Sequence, residues 1–341
     1  MSARSIEYNL RNGETILIEV KELTKYYGDK LAVDHLSFTI KEGEILGFLG
    51  PNGAGKSTTM NILTGYLSAT SGEVTIAGIN LFENPGEAKK CIGYLPEIPP
   101  VYIDMTVEEY LKFMCRLKKI PSSFNEKQHI EDICAQVNIT HVKKRLIKHL
   151  SKGYRQRVGI AQAMIGDPKI LILDEPTVGL DPNQILEIRQ LIQKLGRKHT
   201  VILSSHILQE IQAVCSRILI INEGKRVADE QVAHGKTVSA KNMYQLLIEG
   251  PEEAVTSALL ALPGVKTVKA ENRYETEVYG YTLQAEGESP MRRAIFDCVA
   301  GNGWRLLGLE CREQNLEDFF IRLTAGGYSG YMNKKEAEAA R

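Results

Sequence analysis

The sequence of 341 residues predicts an α/β fold built around a parallel sheet, with a smaller α+β domain after it. Continuous apolar runs at 45–49, 169–173 and 200–203 are typical of strands that helices cover on both faces. Helical patterns follow two of these segments and begin at Ser57 and at Ile207. From about residue 240 the order changes to strand, helix, strand, strand, helix, strand, which indicates a second domain.

The composition is that of an ordinary globular protein whose charges balance. Hydrophobic residues make up 43% and charged residues 25%, and 42 basic side chains face 42 acidic ones. No global field favours nucleic acid or an anionic membrane surface, so we expect no nucleic-acid partner. The six cysteines are scattered without a C-x-x-C pair, which argues against a zinc site or a disulfide framework and predicts free thiols. They are Cys91, Cys115, Cys134, Cys215, Cys298 and Cys311.

The amino-terminal segment and the lengths of the apolar runs bear on location. Residues 1–15 are mostly polar and lack the apolar stretch of a signal peptide, so we expect a flexible leader. No apolar run approaches the ~18 residues of a membrane span. We therefore expect a cytoplasmic protein. If it works at a membrane, it is peripheral at the cytoplasmic face, and another chain supplies the spans.

Two short strands, at 16–20 and 36–40, are predicted ahead of the first buried strand, and Tyr27 lies between them before Gly28. An aromatic side chain ahead of a glycine turn can simply pack under a hairpin. Its position before the glycine-rich loop described next also fits stacking on an adenine ring. The sequence leaves both interpretations of Tyr27 open.

A glycine-rich loop follows the first buried strand and opens a helix. It fits G-x-x-x-x-G-K-[ST], the phosphate-binding loop of P-loop NTPases. Its glycines allow several backbone N–H groups to face one point, where the helix N-terminus adds positive charge. The pattern predicts that Lys56 reaches the β- and γ-phosphates and that the Ser57 hydroxyl holds Mg²⁺. The alternative is a glycine turn that binds nothing. The predicted nucleotide-binding residues of the loop are Gly50, Pro51, Asn52, Gly53, Ala54, Gly55, Lys56, Ser57 and Thr58.

The middle of the chain is predicted to be mainly helical. Strands at 71–78 and 91–97 come first, and the second must stop at Pro96. Residues from about 98 to 165 then form a predicted helical subdomain. Its part from 98 to about 150 is an inserted segment that is broken at 121–123 and carries no catalytic spacing. We expect this inserted segment to be the surface that contacts a partner protein.

Polar residues end two of the buried strands. A helix that Ser151 caps leads into the strand at 169–173, which ends in Asp174 and Glu175. Carboxylates at the carboxyl end of such a strand lie beside the P-loop in an open α/β sheet, where Mg²⁺ and an attacking water belong. The alternative is a solvated acidic turn. The strand at 200–206 ends in His206 at the same edge, where it either contacts the γ-phosphate or is structural.

The region from 240 to 325 has the element order of a ferredoxin-like α+β domain. Its predicted strands are 242–248, 265–270, 275–284 and 304–310, and its predicted helices are 251–262 and 290–301. Fold alone assigns no function, so we expect an accessory, dimerising or regulatory role. A last helix from Asn315 would pack back on the body, and residues 326–341 form a flexible tail.

Taken together, these motifs make residues 16–235 resemble the ATPase domain of ABC transporters, a P-loop NTPase domain with a helical subdomain. The resemblance assigns the A-loop aromatic to Tyr27, Walker A to 50–58, Walker B to 170–174, the catalytic carboxylate to Glu175, the D-loop to Leu180-Asp181 and the switch histidine to His206.

Two loops depart from the family pattern. The signature, usually Leu-Ser-Gly-Gly-Gln, reads Leu150-Ser151-Lys152-Gly153-Tyr154 and keeps the serine and glycine that would touch the γ-phosphate. Glu97 stands where the family commonly has the Q-loop glutamine, and its added negative charge favours a role in relaying motion. These departures and the second domain make the chain similar to ATP-binding subunits of ABC-2-type exporters for gliding motility, drugs or polysaccharides.

The resemblance also implies cofactors, partners and a mechanism. ATP and Mg²⁺ would be bound, with Ser57 and Asp174 at the metal and with Lys56, Glu175 and His206 in catalysis. Two copies would form a homodimer around ATP, each contributing its signature loop in trans, and ABC-2-type permease subunits would supply the membrane spans.

Three other functions compete with transport. A non-transport ABC ATPase acting on nucleic acid or ribosomes is disfavoured by the balanced charge and the single ATPase unit. A regulatory subunit without catalysis is disfavoured because Lys56, Asp174, Glu175 and His206 are all present. A GTPase is disfavoured because no Asn-Lys-x-Asp motif follows the P-loop.

Overall fold

The structure is a computed structural model that describes residues 10–11, 14–120, 125–233, 236–237, 242–275, 277–285 and 291–313. The chain divides into two compact units that adjoin in sequence at residues 235 and 236. The strands of the first unit are β1 (Leu10–Arg11), β2 (Glu14–Tyr27), β3 (Lys30–Lys41), β4 (Ile45–Leu49), β5 (Ser71–Ile76), β6 (Ile79–Asn80), β7 (Ile92–Leu95), β8 (Ile170–Asp174), β9 (Thr200–Ser205), β10 (Arg217–Asn222) and β11 (Lys225–Ala233). Its helices are α1 (Lys56–Leu63), α2 (Pro85–Lys90), α3 (Val107–Leu117), α4 (Glu126–Gln136), α5 (Lys152–Met164), α6 (Pro182–Leu195) and α7 (Leu208–Val214).

A mainly parallel sheet in the order β11-β10-β4-β9-β8-β7 carries the candidate site. The strands β10, β4, β9, β8 and β7 run parallel, and β11 pairs with β10 as an antiparallel strand. Every residue of β8 and β9 is buried, because their branched apolar side chains are covered on both faces. The register pairs Asp174 with Ser204 and Leu49 with Ser205, so three strands end side by side. The predicted α/β fold is confirmed.

The amino-terminal hairpin is longer than the two predicted strands. β2 and β3 pair from their far ends up to Tyr27 and Lys30, and Gly28 makes the turn with a φ of 57°. The register shifts between Val20 and Leu23 and again further along, and each bulge breaks the alternation of side chains from which a strand is recognised. The hairpin therefore includes residues 23–27, which the sequence left between the strands.

The amino-terminal sheet packs on the parallel sheet through a shared apolar core. The rings of Phe38 on β3 and Phe48 on β4 meet edge to face at 5.2 Å. β1 pairs with the start of β2, whereas residues 1–9 of the predicted leader lie outside the described part of the chain. The core thus joins the hairpin to the strand from which the glycine-rich loop departs.

The inserted segment is helical from Val107 onwards. Thr106 and Glu109 form a capping box that fixes the start of α3, so the region from 98 to 106 lies outside the helix. α4 and two 3₁₀ turns (Thr140–Val142 and Ile147–His149) follow, and the predicted break at 121–123 lies outside the described residues. None of the described helices is both long and apolar enough to cross a membrane.

The second unit has a four-stranded antiparallel sheet in the order β14-β15-β13-β16. Its elements are β12 (Lys236–Thr237), β13 (Asn242–Glu249), α8 (Glu252–Leu260), β14 (Val265–Glu275), β15 (Val278–Ala285), α9 (Met291–Gly301) and β16 (Arg305–Glu313). Alternate residues of the strands, such as Tyr244, Leu246 and Ile248, form one core with Val255 and Ile295 of the helices. The helix predicted from Asn315 and the predicted tail lie outside the described residues.

Lys118 ends α3 against the last turn of α5. Its ammonium donates to the carbonyl oxygens of Gln162 and Ala163, both at 3.3 Å, and of Ile165 at 2.8 Å. The last carbonyls of a helix lack the usual i+4 N–H donors, and that of Gln162 accepts the backbone N–H of Ile165 at 3.3 Å, so a lysine stabilises the helix end. Burial lowers the pKa of Lys118 to about 8.

We expect the stability of this junction to depend on pH. Because the pKa of Lys118 is lower in the folded state than in the unfolded state, the unfolded chain alone holds the proton between pH 8 and roughly pH 10. The contribution of Lys118 to the free energy of unfolding therefore rises from pH 8 to roughly pH 10. The Lys118→Met variant lacks this contribution. Its free energy of unfolding, measured from urea unfolding curves, should therefore fall further below the wild-type value as the pH rises from 8 to 10. Lys127→Met, on the exposed surface of α4, should show a constant difference. A constant difference for Lys118→Met as well would contradict the assignment.

Candidate functional site

A cleft of about 590 Å³ opens where β4, β8 and β9 end. Loops after these three strands form its floor, and the hairpin of β2 and β3 forms one wall. The lining residues are Tyr27, Lys30, Ala32, Asn52, Gly53, Gly55, Lys56, Ser57, Thr58, Glu97, Glu175, Val178 and His206. Ten of these lining residues were predicted from the sequence. They belong to segments that are far apart along the chain and come together only in the folded protein.

The glycine-rich loop needs its glycines for two different reasons. Gly53 and Gly55 have φ values of 82° and 103°, in the left-handed region that glycine enters without strain. Gly50 has no such φ, but a Cβ there would lie 2.3 Å from the carbonyl oxygen of Ile221 on β10. Ala54 is buried within the loop. The loop is therefore held close to β10 while α1 begins at the cleft.

Lys56, the first residue of α1, is almost fully buried. Its ammonium donates to the carbonyl oxygens of Gly50 at 2.7 Å and Pro51 at 3.3 Å, and it lies 3.7 Å from Oε1 of Glu175. Burial lowers the pKa of Lys56, and the carboxylates of Glu175 and Asp174 act in the opposite direction. A cation held by carbonyls and carboxylates in this way can exchange those contacts for phosphate oxygens.

Glu175 is held between a histidine and a lysine. Its Oε2 lies 2.9 Å from Nδ1 of His206, and its backbone N–H donates to the Ser204 hydroxyl at 2.9 Å. The same hydroxyl donates to Asp174, so Ser204 joins the two carboxylate residues. Burial raises the pKa of Glu175, and the neighbouring His206 and Lys56 oppose this rise. A carboxylate whose basicity is raised in this way is suited to accept a proton from water.

The oxygen groups near the P-loop fit Mg²⁺. Ser57 lines the cleft and Asp174 ends β8 with only 3% of its surface exposed. The described residues contain no group of three or more His, Cys, Asp or Glu side chains that could hold a metal ion. Mg²⁺ prefers one or two protein oxygens completed by substrate phosphates and water, and a hydroxyl with a carboxylate meets that preference.

Two further predicted residues lie at the margins of the cleft. The ring of Tyr27 is 48% exposed at the rim, so it does not pack under the hairpin, and Lys25 lies over it with Nζ 5.5 Å from the ring centroid. Glu97 lines the cleft just after β7. The strand ahead of it is fixed by Gln162 on α5, whose Nε2 donates to the carbonyl oxygen of Tyr94 at 2.6 Å.

The predicted signature residues lie apart from the cleft, at the N-terminus of α5. Ser151 caps this helix and accepts the backbone N–H of Tyr154 at 3.4 Å. The Tyr154 hydroxyl lies 3.0 Å from Nε2 of His141, and the two rings meet edge to face. Tyr154 therefore has a structural partner here, which the sequence did not indicate.

The signature segment packs against the segment that contains Asp181. Asp181 caps α6 by accepting the backbone N–H of Gln184 at 3.0 Å. A Cβ on Gly153 would lie 2.3 Å from the Gln184 side chain, and one on Gly179 would lie 2.1 Å from Nζ of Lys152. Within one chain, the structure thus brings Lys152 and Gly153 to the segment around Asp181, and neither is among the residues that line the cleft.

Sequence reasoning missed Ser204 and the side of the cleft formed by the hairpin and the loop after β8. Lys30, Ala32 and Val178 line the cleft, but no motif marks them. Ser204 could have been found, because it lies two residues before His206 at the end of a strand beside β8. The parallel register places it opposite Asp174, which explains its contacts with both carboxylate residues.

Comparison with known proteins gives a consistent result. The family model described as ABC transporter matches residues 33–178. The chain is 34% identical to the bacitracin transport ATP-binding protein BcrA of Bacillus licheniformis over 322 residues, which cover 92% of this chain and 99% of that protein. It is 32% identical to the linearmycin resistance ATP-binding protein LnrL of Bacillus subtilis, covering 90% of this chain and 98% of that protein.

Solved structures match nearly two thirds of the chain. A dimeric ATP-binding cassette in a post-hydrolysis state, bound to ADP and Pi, matches with a TM-score of 0.58 and 26% identity, over 64% of this chain and 99% of that one. A second dimeric structure of that same cassette, MJ0796, matches with a TM-score of 0.59 and 27% identity, over the same shares of the two chains.

We expect Gly50→Ala to weaken nucleotide binding. The added methyl would contact the backbone oxygen of Ile221, so the loop would have to move away from β10 and carry Lys56 with it. The Kd for a fluorescent ATP analogue should rise about tenfold or more, which corresponds to about 1.4 kcal/mol.

Gly86→Ala is the matched control for this experiment. Gly86 lies on α2, and a Cβ there meets nothing within 4 Å. Its Kd should equal that of the wild type. Wild-type affinity in Gly50→Ala would show that the loop position against β10 does not matter for binding.

Proposed function

We propose that this chain, which belongs to the ATP-binding proteins of ABC transporters, powers export through separate membrane-spanning subunits of the ABC-2 type. The chain is an ATPase of that family, which binds ATP with Mg²⁺. The observation that carries the proposal is the convergence of Lys56, Glu175 and His206 on one cleft. The drug-resistance and drug-transport names of similar proteins support export of drug-like cargo.

The proposed chemistry follows from the positions of these side chains. Lys56 exchanges its carbonyl contacts for the β- and γ-phosphates and offsets their charge. Glu175, with its raised pKa, orients a water and takes its proton, while His206 holds the carboxylate at 2.9 Å and faces the γ-phosphate. Ser57 and Asp174 would hold Mg²⁺, which when bound neutralises phosphate charge. Tyr27 stacks on the adenine from the rim.

The proposed active form is a head-to-tail homodimer. The start of α5 lies beside the Asp181 segment and does not line the cleft of its own chain; its residues are Ser151, Lys152, Gly153 and Tyr154. A helix N-terminus of this kind is suited to bind the γ-phosphate held by a second copy. ATP would then bind more tightly to the closed dimer than to separate chains, and this difference drives the partner subunits.

The proposed contact with a permease lies on the inserted segment, at the cytoplasmic face of the membrane. Ile98, Tyr102 and Ile103 expose 81%, 55% and 49% of their surface ahead of α3. Large apolar side chains so close together on a surface are typical of a protein interface. Glu97 adjoins this group and also lines the cleft, so it would relay nucleotide state to the partner.

The second unit is proposed to be a ferredoxin-like accessory domain with a dimerising or regulatory role. Its strand order, β14-β15-β13-β16, and its element order support this proposal. Two helices cover one face of the sheet with their apolar side chains. Fold alone does not select between the two roles.

Glu175→Gln tests the catalytic proposal. The amide keeps the size of the side chain but cannot accept a proton from water, so we expect kcat for ATP hydrolysis to fall about 10²-fold or more. ATP binding should persist, and dimers should accumulate in ATP when measured by analytical ultracentrifugation. Turnover at the wild-type rate, with no ATP-dependent dimer, would reject the proposal.

A mixing experiment tests the composite site. Lys56→Ala lacks a working P-loop, and Gly153→Asp lacks a working signature, so each alone should be inactive. A mixed dimer contains one complete site if the signature acts in trans, and the mixture should regain part of the wild-type ATPase rate. Mixing Lys56→Ala with Glu175→Gln is the control, because no complete site can form. No recovery in the first mixture would contradict the dimer.

A co-purification experiment tests the partner. Detergent-dependent capture of a multi-span protein supports transport, and Tyr102→Ser with Ile103→Ser should lower the yield of that complex without changing ATP affinity. Salt-sensitive retention by nucleic acid, with no membrane protein captured, would instead favour an ABC ATPase acting on nucleic acid or ribosomes.

A further inference from the structure

A buried carboxylate behind the cleft has no role in the chemistry described so far. Glu210 lies on α7 with 4% of its surface exposed. Its Oε2 accepts a hydrogen bond from the Thr177 hydroxyl at 2.6 Å and another from the Ser205 hydroxyl at 3.0 Å. Among the described residues, those that line the cleft do not include Glu210, so it is not placed to touch a nucleotide.

The two donors belong to the two loops that carry the proposed catalytic groups. Thr177 lies two residues after Glu175, and Ser205 lies directly before His206. The Ser205 hydroxyl also accepts the backbone N–H of Ile207 at 3.0 Å, which fixes the turn that presents His206. One carboxylate oxygen therefore connects the loop after β8 to the end of β9.

The loop after β8 needs such support. Glu175 has a φ of 48°, a left-handed conformation that a residue with a long side chain rarely adopts. A backbone of this kind persists only where surrounding contacts hold it. Ser204 holds the backbone N–H of Glu175 from one side, and Glu210 holds Thr177 from the other.

Removing a carboxylate from water costs free energy unless hydrogen bonds satisfy it. Two hydroxyl donors on one oxygen provide them, and hydrogen bonds to an ionised acceptor are stronger than those between neutral groups. The result is a short, directional connection between two loops, anchored on a helix that packs against β4 and β9. An apolar side chain at the same position could fill the volume but could not set this alignment.

We propose that Glu210 is a positioning residue for ATP hydrolysis, which uses Thr177 and Ser205 to hold Glu175 and His206 in contact. The inference rests on the proposed roles of Glu175 and His206. Its effect falls on the chemical step, because the contact between Glu175 and His206 is made by the two loops that Glu210 connects. The P-loop itself is held by other contacts, so ATP binding is unaffected.

Thr177 allows a matched pair of substitutions. Thr177→Val keeps the shape of the side chain and removes the hydroxyl, whereas Thr177→Ser keeps the hydroxyl and removes only a methyl group. We expect kcat in Thr177→Val to fall about tenfold or more, since a misplacement of about 1 Å can cost 10²-fold. The KM for ATP should stay within about twofold of the wild type, because the lost hydroxyl positions the catalytic groups and does not bind the nucleotide. Thr177→Ser should restore kcat to near the wild-type value.

Glu210→Gln is the second variant, since its amide keeps the volume but is a weaker acceptor for two hydroxyl donors. We expect it to lower kcat in the same way as Thr177→Val and to leave the Kd for ATP unchanged. If Glu210→Gln does not fold, the Thr177 pair decides the question alone.

Glu44→Gln is the control for the loss of a buried carboxylate. Glu44 has 9% of its side chain exposed, accepts the backbone N–H of Lys41 at 2.9 Å and pairs with Arg217 at 3.3 Å, ahead of β4 at the opposite edge of the sheet. It should lower the melting temperature but leave kcat unchanged at a temperature where all variants are folded.

Three outcomes would overturn the inference. One is a wild-type kcat in Thr177→Val or in folded Glu210→Gln. Another is an equal loss of kcat in Thr177→Ser, and the third is an equal loss in Glu44→Gln. Glu175→Gln is measured in the same assay. If Glu175→Gln keeps turnover, the proposed chemistry fails first, whereas an inactive Glu175→Gln beside a fully active Glu210→Gln rejects only the positioning role.

Discussion

A lysine ammonium and a glutamate carboxylate lie 3.7 Å apart in the cleft, and water reaches little of either. Burial disfavours the charged form of both groups, since it lowers the pKa of Lys56 and raises that of Glu175. Neither charge would be stable there alone. Loop carbonyls stabilise Lys56, and His206 stabilises Glu175, so the pair depends on three separate segments of the chain being held together.

The parallel sheet is what holds those segments together. β4, β9 and β8 are neighbours, and their register aligns the residues with which they end. Side chains buried on both faces make this sheet resistant to deformation, because each strand is fixed by close packing from above and below. Polar groups can then be aligned at the sheet edge without contributing to the core. Ser204 is the clearest case, since it is buried at a strand end and bonds to both carboxylate residues.

The same frame explains why the signature segment is separate from the cleft. Gly153 packs against Gln184 of α6, and Lys152 lies against Gly179, so the start of α5 is fixed to the loop that leads away from Glu175. An arrangement of this kind is compatible with the proposed homodimer, in which a second copy would complete the site. The loop after β8 therefore has two neighbours, Glu210 on one side and the signature segment on the other. The contacts of both neighbours depend on the conformation of this loop.

Some features of this protein follow from the sequence by itself. The glycine pattern around Lys56, the paired carboxylates at 174–175 and the buried strands are each formed by neighbouring residues. The physical reason for each can therefore be recognised within a short stretch of sequence. These features were sufficient to predict the α/β fold and ten of the residues that line the cleft. The longer hairpin could not be predicted, because its bulges disturb the side-chain alternation that marks a strand.

Only the tertiary structure decided how these residues are held. No contiguous pattern contains Glu210, Thr177 or Ser205. In the sequence alone, Glu210 is one more polar residue of a predicted helix. Its contacts depend on the register of β8 against β9 and on the packing of α7. A hydrogen bond acts over about 3 Å, so it is determined by where segments meet in space and not by their separation along the chain.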